Sequence, residues 1–308
     1  MSNVILDDGP INLDDYLEAP SEAEHVRSAA AFRERVKERL LSPDPVAGAS
    51  MGWSKCDDKL RFREGEVTLW AGINGHGKSL VTSQVALNLV ADSLQRIGIA
   101  SFELHPEATL GRMARQAAGG SSIDADFLDR FHAWLDEWLW LYDVQGTVKW
   151  QRVIACGRYM ATLGIRHFFV DSLMKCVRGE DDYNGQKDFV DALCALAKET
   201  RMHIHLVHHI RKGEDEHRRP GKFDAKGSGS ITDQVDNVVI VWRNKRKERA
   251  KERGEMTEDQ RKEPDTVLIV DKQREWPGWE GSLGFWFHQG ALQYLERGNE
   301  YEARRYVA

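Results

Sequence analysis

Gly72-Ile73-Asn74-Gly75-His76-Gly77-Lys78-Ser79 follows the apolar run VTLWAG (67–72) and opens the stretch SLVTSQVALNLV (79–90). It fits the spacing G-x-x-x-x-G-K-[ST], and a strand before it with a helix after it is the setting in which that spacing cradles phosphate. Glycines let successive backbone N–H groups turn toward an anion, and the helix N-terminus adds its positive end at the same point. Gly72, Asn74, Gly75, His76, Gly77, Lys78, Ser79 and Leu80 are therefore the expected nucleotide-binding residues. Lys78 is expected to reach the β- and γ-phosphates and Ser79 to hold Mg²⁺.

Working outward, short apolar runs recur: IGIASFEL (97–104), WLYDV (140–144), HFFVDS (167–172), IHLVHH (204–209) and NVVIVW (237–242). Runs of helical periodicity separate most of them, at 79–94, 106–118, 149–163 and 185–200. Near-continuous apolar strands alternating with helices require a mostly parallel sheet covered on both faces, an α/β fold. TVLIVDKQ (266–273), SLGFWFH (282–288) and ALQYLE (291–296) follow with only short turns between them and are expected to finish the sheet as antiparallel strands.

A P-loop needs a second carboxylate for its metal at the end of a neighbouring strand, and HFFVD ends in Asp171. Hydrolysis needs a group that orients or deprotonates water, and Glu103 closes the next strand after the P-loop helix.

The 308 residues suit one α/β domain with additions, and 41% hydrophobic with 30% charged residues is the balance of a globular chain. A net charge of −6 excludes a uniformly basic nucleic-acid coat and leaves local patches as the place to look. Cys56, Cys156, Cys176 and Cys194 contain no C-x-x-C pair, which favours a reduced, cytoplasmic setting. No stretch reaches the roughly 18 apolar residues of a membrane span, so no membrane partner is expected. The opening MSNVILDDGP lacks the design of a signal peptide.

Residues 1–20 read as an acidic flexible arm: through position 24 the chain carries Asp7, Asp8, Asp14, Asp15, Glu18, Glu22 and Glu24 without a Lys or Arg. Residues 21–49 read as a linker helix and linker, with a capping-box start at Ser21 and the stop SPDP after Leu41. The ATPase domain is then 50–308. Two further stretches are read as packing or solvated surface. His203 and His205 share one strand face without a third ligand, and Phe131, Trp134 and Trp138 follow helical spacing as core. The basic run 243–253, seven bases in eleven residues, is either a DNA contact or a solvated helical excursion.

Taken in order, GWSKCDDKL (52–60), the P-loop, SFEL (101–104) with an Arg-bearing helix, the strand ending in Asp171, and the stretch from LVHHIRK to DKQREWPG resemble the RecA-like hexameric helicases of the DnaB type, including the helicase halves of phage primase-helicases and Twinkle. The resemblance covers about 50–295 and implies a RecA-like P-loop NTPase core. It implies that Glu103 is the catalytic glutamate and that His209 senses the γ-phosphate. It implies a DNA-facing loop carrying Arg211, Lys212, Arg218, Arg219 and Lys222, followed by a DNA-binding pattern, Lys226-Gly227-Ser228, at the start of a helix. Glu214, Asp215 and Glu216 leave a plain solvated loop as the other reading of that segment.

Lys272 and Arg274 match the family's K-x-R pair, which implies a finger delivered to the neighbouring subunit's nucleotide. The implied function is an ATP- or dTTP-hydrolysing DNA helicase: a hexameric ring moving 5′ to 3′ on single-stranded and forked DNA, served by a separate primase and loader. Its place is the cytoplasm, a bacterial host's if phage-encoded. A recombinase filament and a nucleotide-switched loader are the alternatives, and the K-x-R pair followed by W-P-G together with the linker helix favours the ring.

Overall fold

The computed structural model of the chain describes residues 26–41, 48–179, 181–210, 229–275, 278–299 and 302–307. The acidic arm lies outside the described residues. So does every expected DNA contact, from Arg211, Lys212, Arg218, Arg219 and Lys222 to Lys226, Gly227 and Ser228.

A 3-10 turn at Ala29–Phe32 leads into helix α1 (Arg33–Leu41), and Phe32 of the turn with Val36, Leu40 and Leu41 of the helix are exposed. The body begins with a ribbon, β1 (Ala49–Ser50) antiparallel to β2 (Arg61–Phe62). Then come β3 (Val67–Gly72), α2 (Lys78–Ser93), β4 (Ile97–Ser101), α3 (Pro106–Ala118), α4 (Ala125–Leu135) and β5 (Leu139–Leu141). α5 (Trp150–Thr162), β6 (His167–Asp171), α6 (Tyr183–Thr200) and β7 (His203–His209) follow. The last elements are α7 (Gly229–Gln234), β8 (Asn237–Arg243), α8 (Lys245–Arg253), α9 (Glu258–Lys262), β9 (Thr266–Gln273), β10 (Gly281–His288) and β11 (Gln293–Leu295).

The main sheet has nine strands in the order β11-β10-β9-β8-β3-β7-β6-β4-β5. From β8 to β5 every pairing is parallel, and β9, β10 and β11 close the sheet antiparallel. This is the expected arrangement. The P-loop strand β3 is central, with β7 on one side and β8 on the other, the switch point where doubly wound sheets bind ligands beyond their carboxyl ends.

The continuous apolar runs are explained by two cores. Val67, Leu69 and Ala71 of β3 face one, with Phe168, Phe189 and Leu193, while Trp70 faces the other, with Val85, Leu89, Phe131 and Phe285. Each strand alternates sides, so both faces are buried. The aromatic stretch is core as expected, with one difference. α4 stops at Leu135, so Trp138 lies in the turn into β5, and Trp140 packs against the opposite core. Of the basic run 243–253, Arg243 ends β8 and 245–253 form α8, an excursion between β8 and β9. Among the described residues no helix is long and apolar enough to cross a membrane.

His203 and His205 join His167 in a buried network. Trp70 Nε1 donates to His205 Nδ1 at 3.2 Å, which leaves His205 Nε2 to donate to His167 Nδ1 at 3.1 Å. His203 Nδ1 donates to the Arg63 carbonyl at 2.7 Å, so its Nε2 accepts from the Thr68 hydroxyl at 2.8 Å. These bonds fix neutral tautomers, and Phe169 stacks on His205 at 4.0 Å. Burial holds all three rings below the ordinary histidine range, His203 at about 4.

The unfolded chain takes up these protons near 6.5 and the folded chain does not until about 4, for His203. Their contribution is therefore whole above the unfolded value and is lost as pH falls toward the folded one. The urea midpoint is expected to drop between about pH 7 and about pH 5, before carboxylates titrate, with His203 alone costing about 2 kcal/mol at the lower pH. A midpoint flat across that window would show that the network does not govern acid stability.

Candidate nucleotide site

β3 ends at Gly72 and α2 begins at Lys78, with Gly75 at φ 78° and Gly77 at φ 86° in the turn between them. A Cβ on Gly72 would lie 2.6 Å from the Val241 carbonyl, so the P-loop passes too close to β8 for any side chain there. Asn74 and Gly75 form the exposed tip, whereas His76 turns inward and its Nδ1 accepts the Arg243 backbone N–H at 3.2 Å. The variable position of the motif thus anchors the loop. Lys78 Nζ donates to the Gly72 and Ile73 carbonyls at 2.8 and 3.0 Å, and Leu80 N–H donates to the Gly77 carbonyl at 3.0 Å.

Parallel strands bring the other groups to the same edge. Asp171 ends β6, and the Ser79 hydroxyl donates to its Oδ2 at 2.6 Å. Its Oδ1 is buried without a hydrogen-bond partner, and burial raises its pKa. A hydroxyl beside a carboxylate with an orphaned buried oxygen is a hard-oxygen donor set that fits Mg²⁺.

Glu103 lies two residues past β4 and is exposed. The Ser172 hydroxyl donates to its Oε1 at 2.9 Å and His209 Nε2, at the end of β7, donates to the same oxygen at 3.3 Å. The His209 bond, with help from Ser172, lowers the Glu103 pKa to about 2 against the opposing effect of burial. Burial lowers Lys78 to about 8, opposed by Asp171 and Glu103. Lys78, Ser79, Glu103, Asp171 and His209 therefore form one connected group.

Lys272 and Arg274 are not part of that group. β9 runs antiparallel to β8, so Gln273 pairs with Asn237 at the amino edge of the parallel strands, the length of β3 or roughly 17 Å from the P-loop. Lys272 Nζ donates to the carbonyls of Thr232, Asp233 and Val235 at 2.8, 3.0 and 2.8 Å. Arg274 pairs with Asp236 at 3.2 Å and donates to the Asp233 and Gln234 carbonyls.

The family model of the DnaB-like helicase C terminal domain matches residues 48–295. The chain belongs to that family. It is 26% identical over 295 residues to the DNA helicase/primase of Enterobacteria phage T3, covering 88% of this chain and 49% of that one. It is 25% identical over 238 residues to the replicative DNA helicase DnaB of Rickettsia bellii (strain RML369-C), covering 68% and 47% respectively. The chain thus spans about half the length of these curated relatives.

Among solved structures, one described as an ATPase domain matches with a TM-score of 0.73 at 17% identity, covering 88% of this chain and 99% of that one. A DnaB-like replicative helicase described with its interactions with primase matches at 0.68 and 16% identity, covering 88% and 67%. At these identities the likeness is one of fold, and the fold is RecA-like.

Several residues of this DnaB-like site have no motif that marks them in the sequence. Arg112 on α3 has a buried Nε without a partner, and burial lowers its pKa against the pull of Asp171. The Arg-bearing helix is legible from the sequence, but only the fold shows which arginine turns inward. Arg243 Nη1 donates to the Gly75 carbonyl at 3.4 Å while Glu248 holds its other nitrogen. The Tyr294 hydroxyl, 217 positions away, donates to the Gly77 carbonyl at 3.5 Å.

That contact makes Gly77 doubly necessary, because its φ is left-handed and a Cβ would strike the Tyr294 hydroxyl. Gly77→Ala is expected to cost about 2–4 kcal/mol from overpacking and backbone strain, and adding Tyr294→Phe to recover part of it, read as urea midpoints. No recovery in the double variant would show that the hydroxyl is not the obstacle.

Nucleotide affinity should also fall as pH rises above about 8, where Lys78 loses its proton. A dissociation constant unchanged from about pH 7 to about pH 9.5 would remove Lys78 as the charged phosphate contact.

Proposed function

We propose that this chain is the ATPase motor of a ring-forming replicative DNA helicase, hydrolysing ATP or dTTP at subunit interfaces while moving 5′ to 3′ on single-stranded DNA and unwinding forked duplex. Family membership supports the helicase class. The observation that carries the mechanism is the placement of the charged groups. Lys78, Ser79, Glu103, Asp171 and His209 meet at one edge of the sheet, and Arg274 stands at the other.

The backbone of 72–80 with the N-terminus of α2 cradles the phosphates, and Lys78 exchanges the Gly72 and Ile73 carbonyls for phosphate oxygens. Ser79 and Asp171 would hold Mg²⁺, which would supply charge neutralisation of the phosphate oxygens when bound. Glu103, ionised and open to solvent, orients and deprotonates the attacking water. His209, bonded to Glu103 in this state, is placed to exchange that bond for one to the γ-phosphate. A guanidinium one sheet-width away from its own P-loop serves only a neighbour's site, which makes hydrolysis a property of the interface.

The DNA path is assigned to Arg211, Lys212, Arg218, Arg219, Lys222, Lys226, Gly227 and Ser228, which follow His209 in the chain and precede α7. Helix α1 with its exposed apolar residues serves as the subunit-docking linker of 21–49, the acidic arm 1–20 precedes it, and 50–308 is the ATPase domain. A separate primase and a loader complete the partners, and the solved relative described with primase supports the first of them.

Three measurements test this reading. Electron microscopy with a non-hydrolysable ATP analogue and single-stranded DNA should show closed rings of about six subunits. Open filaments would favour a recombinase, and monomers a nucleotide switch. Glu103→Gln should keep nucleotide binding and lose about a hundredfold or more in kcat. Mixing Glu103→Gln with Arg274→Ala subunits should restore turnover that neither has alone, since each supplies what the other's interface lacks. Mixtures as inactive as their components would refute a finger acting in trans.

A further inference from the structure

We infer that Asp236 is the positioning residue of the arginine finger, its carboxylate aiming the Arg274 guanidinium out of the amino edge of the sheet toward the neighbouring subunit. The inference rests on the reading of Arg274 as that finger.

Asp236 is buried in the bend between α7 and β8. Its two oxygens are committed in different directions. Oδ2 accepts the Val67 N–H at 2.9 Å and Oδ1 pairs with Arg274 Nη1 at 3.2 Å. The main chain repeats the connection, with Asp236 N–H donating to the Val67 carbonyl at 3.1 Å and Arg274 N–H to the Asp236 carbonyl at 2.9 Å. Val67 begins β3, the strand whose far end is the P-loop. The guanidinium is therefore referenced, through one carboxylate, to the strand that carries the P-loop at its other end.

The remaining bonds complete the aim. Arg274 Nη2 donates to the Asp233 and Gln234 carbonyls at 2.8 and 3.0 Å, at the end of α7. Lys272, on the same strand, holds three carbonyls of that helix end. The Arg274 side chain nevertheless stays 47% exposed. An arginine on a strand end has many rotamers, and a fork held on one side by an anion and a helix terminus keeps few of them. Such preorganisation is what a group acting on a developing phosphoryl charge requires.

Asp236→Asn separates positioning from packing, because the amide oxygen can still accept from Val67 while the charge facing Arg274 is gone. The urea midpoint is measured alongside to establish folding. The expected result is a KM and a nucleotide dissociation constant within about twofold of the unaltered protein, with DNA-stimulated kcat lower by about tenfold to a hundredfold, the scale of a reacting group misplaced by an ångström. Asp236→Glu, which keeps the charge, should recover part of the loss and is the variant to use if the asparagine form does not fold.

Two further comparisons decide the matter. In an Arg274→Ala background, Asp236→Asn should cost nothing more, because the group it aims is absent. Mixed with Glu103→Gln subunits, which bring an intact finger, Asp236→Asn subunits should turn over nucleotide at their own P-loops. An unchanged kcat in Asp236→Asn would overturn the inference, as would an equal loss with and without Arg274 or a failure of the mixture. Arg274→Ala with full turnover would be a different failure: it would remove the finger itself, and Asp236 would have nothing to position.

Discussion

Parallel pairing of β4, β6, β7 and β3 is the constraint on which the site depends. Residues 78, 103, 171 and 209 are remote in sequence, and each follows or ends a strand whose carboxyl end lies at the same edge. The register of the sheet, Ser101 opposite Asp171 and Gly72 opposite His209, sets the spacing of the charged groups before any side chain is chosen. That register is held by apolar side chains packed on both faces. The two buried cores are thus what fixes the positions of the oxygens and nitrogens of the candidate site, and a one-residue slip in β6 would turn Asp171 away from Ser79.

The site is assembled at an electrostatic cost that a ligand relieves. Burial pushes the Asp171 carboxyl up and the Lys78 ammonium down, so the charged form of each is disfavoured in the free protein relative to water. Asp171 keeps an unsatisfied buried oxygen, Arg112 an unsatisfied buried nitrogen. Groups placed this way gain most when a metal and phosphates arrive, so nucleotide binding and stability are linked. For Glu103 the bonds from His209 and Ser172 outweigh burial, which keeps it ionised.

Which parts are legible in the sequence follows from the range of the interactions. The P-loop, the strand ending in Asp171 and the alternation of strands and helices are local patterns, and each is where the pattern puts it. The antiparallel finish is readable because the turns between β9, β10 and β11 are too short for a crossover. Contacts made only by the fold are not readable: Tyr294 reaches Gly77 from the last strand, Arg243 reaches Gly75 from β8, and the histidines share a core with Trp70. No spacing rule connects those positions. The end of α4 departs from the periodicity for a related reason. Trp138 continues the helical period of Phe131 and Trp134, but it packs on the same core from a turn.

The opposite placement of Arg274 gives the molecule a direction. In the proposed assembly, a sheet whose one edge carries the nucleotide site and whose other edge carries a cation would meet a copy of itself head to tail, the heterologous geometry that closes into a ring or extends as a filament. The single chain already satisfies the cation with Asp236 and the end of α7, so the guanidinium needs no neighbour to be ordered. In the proposed trans role, an ordered guanidinium would make the interface selective: a neighbour would gain from it only when its phosphates lie where the fork already points. Ordering the arginine in advance would cost each subunit a buried carboxylate at the foot of β3 and remove the need to immobilise a flexible side chain during every turnover.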